Sequence, residues 1–250
     1  MSDSRRRRMS GSERREQLLG IGRSLFAERG LDGTSVEEIA AKAKVSKPVV
    51  YEHFGGKEGL YAVVVDREMD RLLAMVTGAL TTRAGYRRKL ELGALALLEY
   101  IEESTDGFRI LVRDSHTGTG HGSFASLLSE IAHQVEHLLG SELDHHGYDE
   151  DFAAMYAQML VGMIALTGQW WLETRRPRRE DVAAHVVNLA WNGLARLEER
   201  PDLDPRRRAK ERERQEKSQA KAQAKAEKAR EKARRRLPVA AAEEVAAAEA

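Results

Sequence analysis

The sequence predicts an all-α fold, in which a small N-terminal three-helix unit precedes a larger helical body. Three observations carry that expectation. Apolar residues recur at helical spacing along most of the chain, no convincing run alternates with period two, and 250 residues hold five prolines, at 48, 177, 201, 205 and 238.

Each element follows from local signals. Leu18, Leu19, Gly22, Leu25 and Phe26 make a first amphipathic stripe that stops at Gly30 and Gly33. A second helix starts at Thr34 or Ser35, because Ser35 and Glu38 match the capping box, in which serine and acid satisfy each other's free backbone amides. It turns Val36, Ile39 and Ala40 inward. Val45 and Ser46 lead into a third, short helix, which tolerates Pro48 in its first turn. Gly55 and Gly56 end it, and a long helix runs from about Lys57 to Leu80.

Tyr86 to Glu103 is apolar nearly all round at Leu92, Ala94, Leu95, Ala96, Leu97 and Leu98, the pattern of a central, surrounded helix. Phe108 to Val112 is a short apolar patch, and Ser115 to Gly122, with three glycines, reads as a loop. Phe124 to Leu139 is amphipathic. Asp149 to Arg175 is long and apolar, and Arg178 to Arg200 is amphipathic through Val182, Val186, Leu189, Leu194 and Leu197. From Pro205 to Arg236 there is no Leu, Ile, Val or aromatic residue, so this segment has helix propensity but nothing to bury. It is expected to be a solvated helix or a disordered tail.

The net charge of +1 hides a gradient. Residues 1–60 carry +3, residues 61–200 carry −7 and residues 201–250 carry +5, so a polyanionic partner is expected to meet the ends. With no cysteine, a disulfide framework, a thiolate nucleophile and a Cys-ligated metal are excluded. The longest nearly apolar stretch, Met159 to Leu172, is short for a bilayer span, and no apolar run follows Arg5–Arg8 as a secretory leader requires. The expected setting is the cytoplasm, in association with the nucleoid.

The span 35–54 places two helices of about seven residues around a tight turn, the spacing of a helix-turn-helix, whose second helix fits the major groove. On it Ser46, Lys47, Pro48, Tyr51 and His53 are the candidates to face the groove. Lys47 suits a guanine edge or a phosphate, and the Pro48 ring suits thymine methyls. Tyr51, Lys57 and Thr34 suit phosphates, Lys57 and Thr34 at helix starts that favour anions, and Ser35 is a further DNA-binding candidate.

These residues together resemble the DNA-binding domain of the TetR family of transcriptional regulators. The carriers are F-A-E-R-G (Phe26 to Gly30), T-S-V-E-E-I-A (Thr34 to Ala40), V-S-K-P-V-V-Y-E-H-F (Val45 to Phe54) and K-E-G-L-Y (Lys57 to Tyr61). The resemblance covers about 12–72 and implies the rest of the organisation. It implies a helical ligand-binding and dimerisation domain over 73–200, a homodimer joined by the last two long helices, a pseudo-palindromic double-stranded operator, and release by a small hydrophobic or amphipathic effector of unknown identity. The output it implies is repression. The Gly55-Gly56 pair departs from the family pattern, which commonly has one bulkier polar residue there, and is expected to loosen entry to the fourth helix. Residues 1–11 are a basic arm, suited to the minor groove or to solubility, and 201–250 are a charged tail.

For the effector, a stripe of Met155, Met159 and Met163 beside Trp170, with Tyr100, Phe108 and Phe124 from other helices, is the candidate pocket, with plain packing as the alternative for at least half of them. Glu130, His133 and His137 have the spacing of a helical metal pair but lie opposite the apolar face, so they read as solvated. No catalytic constellation, metal or cofactor site and no membrane partner is expected. The rival readings are a nucleoid-type DNA binder without an effector and an all-α enzyme.

Overall fold

The computed structural model describes residues 9–114, 124–145 and 151–195, and part of 197–229. Among the described residues every regular element is an α-helix. They are α1 Gly11–Arg29, α2 Val36–Ala43, α3 Lys47–Phe54, α4 Lys57–Leu80, α5 Tyr86–Glu103, α6 Thr105–Asp114, α7 Phe124–His145, α8 Asp151–Thr174 and α9 Arg179–Leu194. Residues 1–196 form one compact unit and 197–250 a second. In the second, the described residues between Arg206 and Ala229 are helical and exposed. The Arg5–Arg8 arm and the Ser115–Gly122 loop lie outside the described residues.

Capping chemistry sets the first helices. Ser10 with Glu13 closes a capping box on α1, and Ser35 with Glu38 closes the expected one on α2. Leu18, Leu25, Phe26, Ile39, Ala40, Val50 and Leu60 make the core of this N-terminal unit, with Phe26 edge-on to Tyr61 at 5.0 Å. Gly55 and Gly56 sit at φ of 72° and 134°, so the turn into α4 needs backbone conformations that side chains disfavour.

One row of α4 is buried from end to end: Leu60, Val64, Glu68, Leu72, Val76 and Leu80, each four residues after the last. The helix packs on α1 and α3, with Leu60 against Gly22, and also on α5, α6 and α7, with Leu72, Val76 and Leu80 beside α5 and α7, so a single uninterrupted helix belongs to both the N-terminal unit and the body. The central role expected for α5 is observed, since it packs against α4, α6, α8 and α9. Three boundaries differ from the sequence reading. α6 starts at Thr105 and runs straight through Gly107, α7 continues past its apolar stripe to His145, and α9 is described to Leu194. A stripe marks the packed part of a helix, which need not be all of it.

By length and composition α8 would also suit a bilayer over Phe152–Thr174, so the shorter apolar stretch was too narrow a window. In the fold, however, Ala153, Ala157, Leu160, Val161 and Ala165 are buried, and α8 packs against α5 and α7.

Candidate functional site

The turn between α2 and α3 has a simple construction. Lys44 adopts the left-handed conformation (φ 55°) and returns its amide to Ala40 and Ala41, while the Val45 amide reaches Ala40 O at 2.9 Å. Ser46 then opens α3 without a side-chain cap bond. Val50 is fully buried against the body of the unit, and with a 3.6-residue period this turns Lys47, Pro48, Tyr51 and Glu52 outward together. Tyr51 is 54% exposed. This face is the candidate nucleic-acid interface.

The remaining predicted contacts divide. Ser35 is the N-cap of α2, its hydroxyl engaged with Glu38, and Ser46 is exposed at the start of α3. His53 is half-buried and lies across α3 from the Lys47–Tyr51 face, so it is not part of it. Thr34 is 2% exposed and its hydroxyl donates to Gly30 O at 2.7 Å, while its amide bonds Leu31 O, so neither group is offered to a phosphate. Lys57 donates Nζ to Leu31 O at 3.0 Å and Thr34 O at 3.1 Å. These carbonyls lie in the turn after α1, where helical partners have run out, and the ammonium fills that need instead of standing free. Two further residues share the outward surface. Glu37 is ion-paired with Lys47, and this hydrogen bond holds the Glu37 carboxyl below its usual range. Glu52 offers an acceptor of the kind that reads cytosine.

In the body, α4, α5, α7 and α8 enclose an apolar cavity of about 50 Å³. Its wall includes Leu72, Val76, Ala94, Leu97, Ile131, Val135, Leu160 and Ala165. None of the seven residues predicted for the ligand lines it. Tyr100, Phe108 and Phe124 are buried but stack edge to face beside it, at 6.3 and 5.7 Å. Met155, Met159 and Trp170 lie on the outside of α8, 39, 58 and 53% exposed, and Met163 is half-buried. The methionine stripe exists, but α8 is apolar all round, and its small residues are the ones that let α5 and α7 approach.

Where α1 and α4 meet α5, within residues 1–196, sits a polar joint that the sequence reading missed. Glu68, 7% exposed, accepts from Tyr100 Oη at 2.8 Å, Ser104 Oγ at 2.7 Å and Arg23 Nη1 at 3.1 Å. It therefore ties α1 and α4 to α5. Burial, and then the Glu68 charge, push the Tyr100 hydroxyl above its usual range. Gly107 of α6 closes over the carboxylate so tightly that a Cβ there would lie 2.0 Å from Glu68 Oε2. His133 and His137 stand edge to face at 4.6 Å, with the His133 side chain 64% exposed.

A helix-turn-helix that presents one outward face, carried on a helical body, is the architecture of a DNA-binding transcriptional regulator. Residues 18–64 match the family description "Bacterial regulatory proteins, tetR family" and residues 75–206 match "Tetracyclin repressor-like, C-terminal domain". The chain is 31% identical to the HTH-type transcriptional activator FasR of Mycolicibacterium smegmatis, over 76% of this chain and 87% of that one. It is 33% identical to the HTH-type transcriptional repressor KstR2 of Rhodococcus jostii, over 74% and 92%. A TetR-like transcriptional regulator from Rhodococcus sp. RHA1 superposes with a TM-score of 0.65 at 26% identity, covering 75% of this chain and 99% of that one. The chain belongs to the TetR family of transcriptional regulators.

Proposed function

We propose that this protein is a homodimeric regulator that binds a pseudo-palindromic operator, acts in the cytoplasm at the nucleoid, and is switched by an apolar effector. The observation that carries the DNA reading is the outward face of α3. Lys47, Pro48 and Tyr51 are its base- and phosphate-facing groups, with Ser46 at the helix start; His53, Thr34 and Lys57 act behind it, in packing and capping.

Dimerisation is supported by α8 and α9, which leave Met159, Leu166, Trp170 and Leu189 between 53 and 68% exposed. A row of large apolar side chains on adjacent helices marks an interface, and a second copy of the same surface gives the two-fold symmetry that a palindromic site requires. This also accounts for α8's bilayer-like composition without a membrane partner.

For the effector, the cavity wall is apolar, so the buried part of the ligand is hydrocarbon. At about 50 Å³ it is smaller than the ~150 Å³ cavity that admits benzene in an engineered protein, so entry must part the helices. A ligand that needs a wider cavity binds the two conformations unequally, and that difference drives release of DNA. We read the output as repression, as in KstR2; the name of FasR supports activation as the second reading, and promoter fusions with the gene deleted separate the two by the sign of the change.

The test is a titration onto DNA from upstream of the protein's own gene beside a scrambled duplex, at two salt concentrations. Operator binding requires a specificity ratio of roughly a thousand or more that survives high salt. Near-equal affinities that both collapse in salt favour the nucleoid-type reading. Added n-alkanoates of increasing length then test the apolar effector.

A further inference from the structure

We infer that Arg15 is the positioning residue of the reading helix: from α1 it clamps the C-terminal end of α3 and sets the angle at which Lys47, Pro48 and Tyr51 meet the bases. The inference deepens the operator-binding reading and rests on it.

α3 is lightly held for a helix that must aim side chains. It has eight residues, buries Val50, and its N-cap Ser46 makes no cap bond. At its start Lys47 is tied to Glu37, but both side chains are more than half exposed, and such a pair is weak and screened by salt. At its end Arg15 donates Nη1 to His53 O at 2.7 Å and lays its guanidinium 4.3 Å from the centre of the Phe54 ring. One planar group thus makes both contacts, since a guanidinium offers a fork of donors and a stacking face. His53 O is among the last carbonyls of α3, which lack an amide partner within the helix, and a cation there also suits the helix dipole. The lever is short. With a rise of ~1.5 Å per residue, the ends of α3 lie about 6 Å from its middle, and a tilt of about ten degrees moves them by about 1 Å. That is enough to lose a base-edge hydrogen bond, whose distances span only a few tenths of an ångström.

A positioning role and a direct phosphate contact leave different signatures. Wild-type protein first selects duplexes from a random pool. The selected and a scrambled duplex are then titrated at several salt concentrations with wild type, Arg15→Ala, Arg15→Lys and Phe54→Leu, each checked by thermal melting. In the ratio of selected to scrambled affinity we expect the two Arg15 variants to lose about tenfold, the scale of one charged hydrogen bond, and Phe54→Leu about threefold, the scale of a stacked cation. Scrambled affinity and salt slope stay near wild type. Phe54→Leu changes no charge, so its loss of ratio speaks for aim and not for charge. Arg15→Lys keeps charge and stem, which guards against simple unfolding of the alanine variant. The inference is overturned if Arg15→Lys restores the ratio, if Phe54→Leu leaves it unchanged, or if Arg15→Ala weakens both duplexes alike and lowers the salt slope by about one, as losing a phosphate contact does. Failure of the wild type to select any duplex overturns the operator reading itself.

Discussion

Replacing Glu68 by alanine takes the shared acceptor away from three donors at once. Tyr100 and Ser104 are 0 and 2% exposed, so their hydroxyls cannot turn to water, and each stranded hydroxyl costs about 1–3 kcal/mol. The Ser104 oxygen still accepts from Arg23 at 3.3 Å, which puts its share at the low end. The Arg23 side chain is 37% exposed and rehydrates, so the full penalty of about 3–5 kcal/mol for orphaning a buried charge does not apply. The expected loss is about 2–4 kcal/mol, read as a lower urea midpoint at unchanged slope, with protomer concentration held fixed. Glu103→Ala is the control: its pair with Arg71 has similar geometry at 2.7 Å but is about half exposed, so it should cost less than about 1 kcal/mol. The sharper arm is the triple variant Glu68→Met, Tyr100→Phe and Ser104→Ala. With the acceptor and both buried hydroxyls gone no buried group is stranded, and stability should return most of the way to wild type. A Glu68→Ala loss below about 0.5 kcal/mol, the range of ordinary surface changes, or a triple variant worse than the single one, would refute the joint.

Alkaline stability is a second test. Because the folded state holds the Tyr100 proton above its ordinary pKa near 10, stability is complete below pH 10 and falls as the unfolded chain ionises above it. The slope approaches about 1.4 kcal/mol per pH unit, and Tyr100→Phe should remove that part of it. Leu166→Asp, on the exposed face of α8, should convert dimer to monomer in sedimentation and weaken operator binding without lowering helix content by circular dichroism. On the reading face, Tyr51→Ala should weaken selected and scrambled DNA together while leaving the salt slope near wild type, because a neutral hydroxyl neutralises no phosphate. Lys47→Ala should also change which base is preferred at one position; equal losses on every sequence would remove Lys47 from base reading.

Most of the fold was legible because helix ends and burial leave local marks. Ser35 with Glu38 put the start of α2 within a residue or two of where it is observed, and Gly55-Gly56 marked the end of α3 and the start of α4. The start of α6 was not legible, because its apolar patch begins only at Phe108; in the fold Gly107 stands inside the helix with the Glu68 carboxylate against it. The cavity wall was not legible. On α8 either side of the helix is apolar, and the buried side, with Ala157, Leu160, Ala165 and Trp171, is no more apolar than the exposed one with Met155 and Met159. Lys57 and Thr34 show a related limit: spacing gives proximity to a helix start, but not that both side chains are engaged with nearby backbone carbonyls. Glu68 did carry a signal, as the one charged residue in a buried row of period four.

The contact between Gly107 and Glu68 also constrains how this chain can drift. No side chain larger than hydrogen fits at 107 while the carboxylate is present, because Cβ would lie 2.0 Å from its oxygen and 2.6 Å from Ser104 Oγ. Removing the carboxylate first strands two hydroxyls. Neither position has an easy first step, so among relatives residues 68, 100, 104 and 107 should be inherited as a block and replaced as a block. A lineage that has exchanged Glu68 for a smaller apolar residue and Ser104 for alanine would have room for alanine at 107, and its N-terminal helices would meet the body through a dry contact instead of a hydrogen-bonded one.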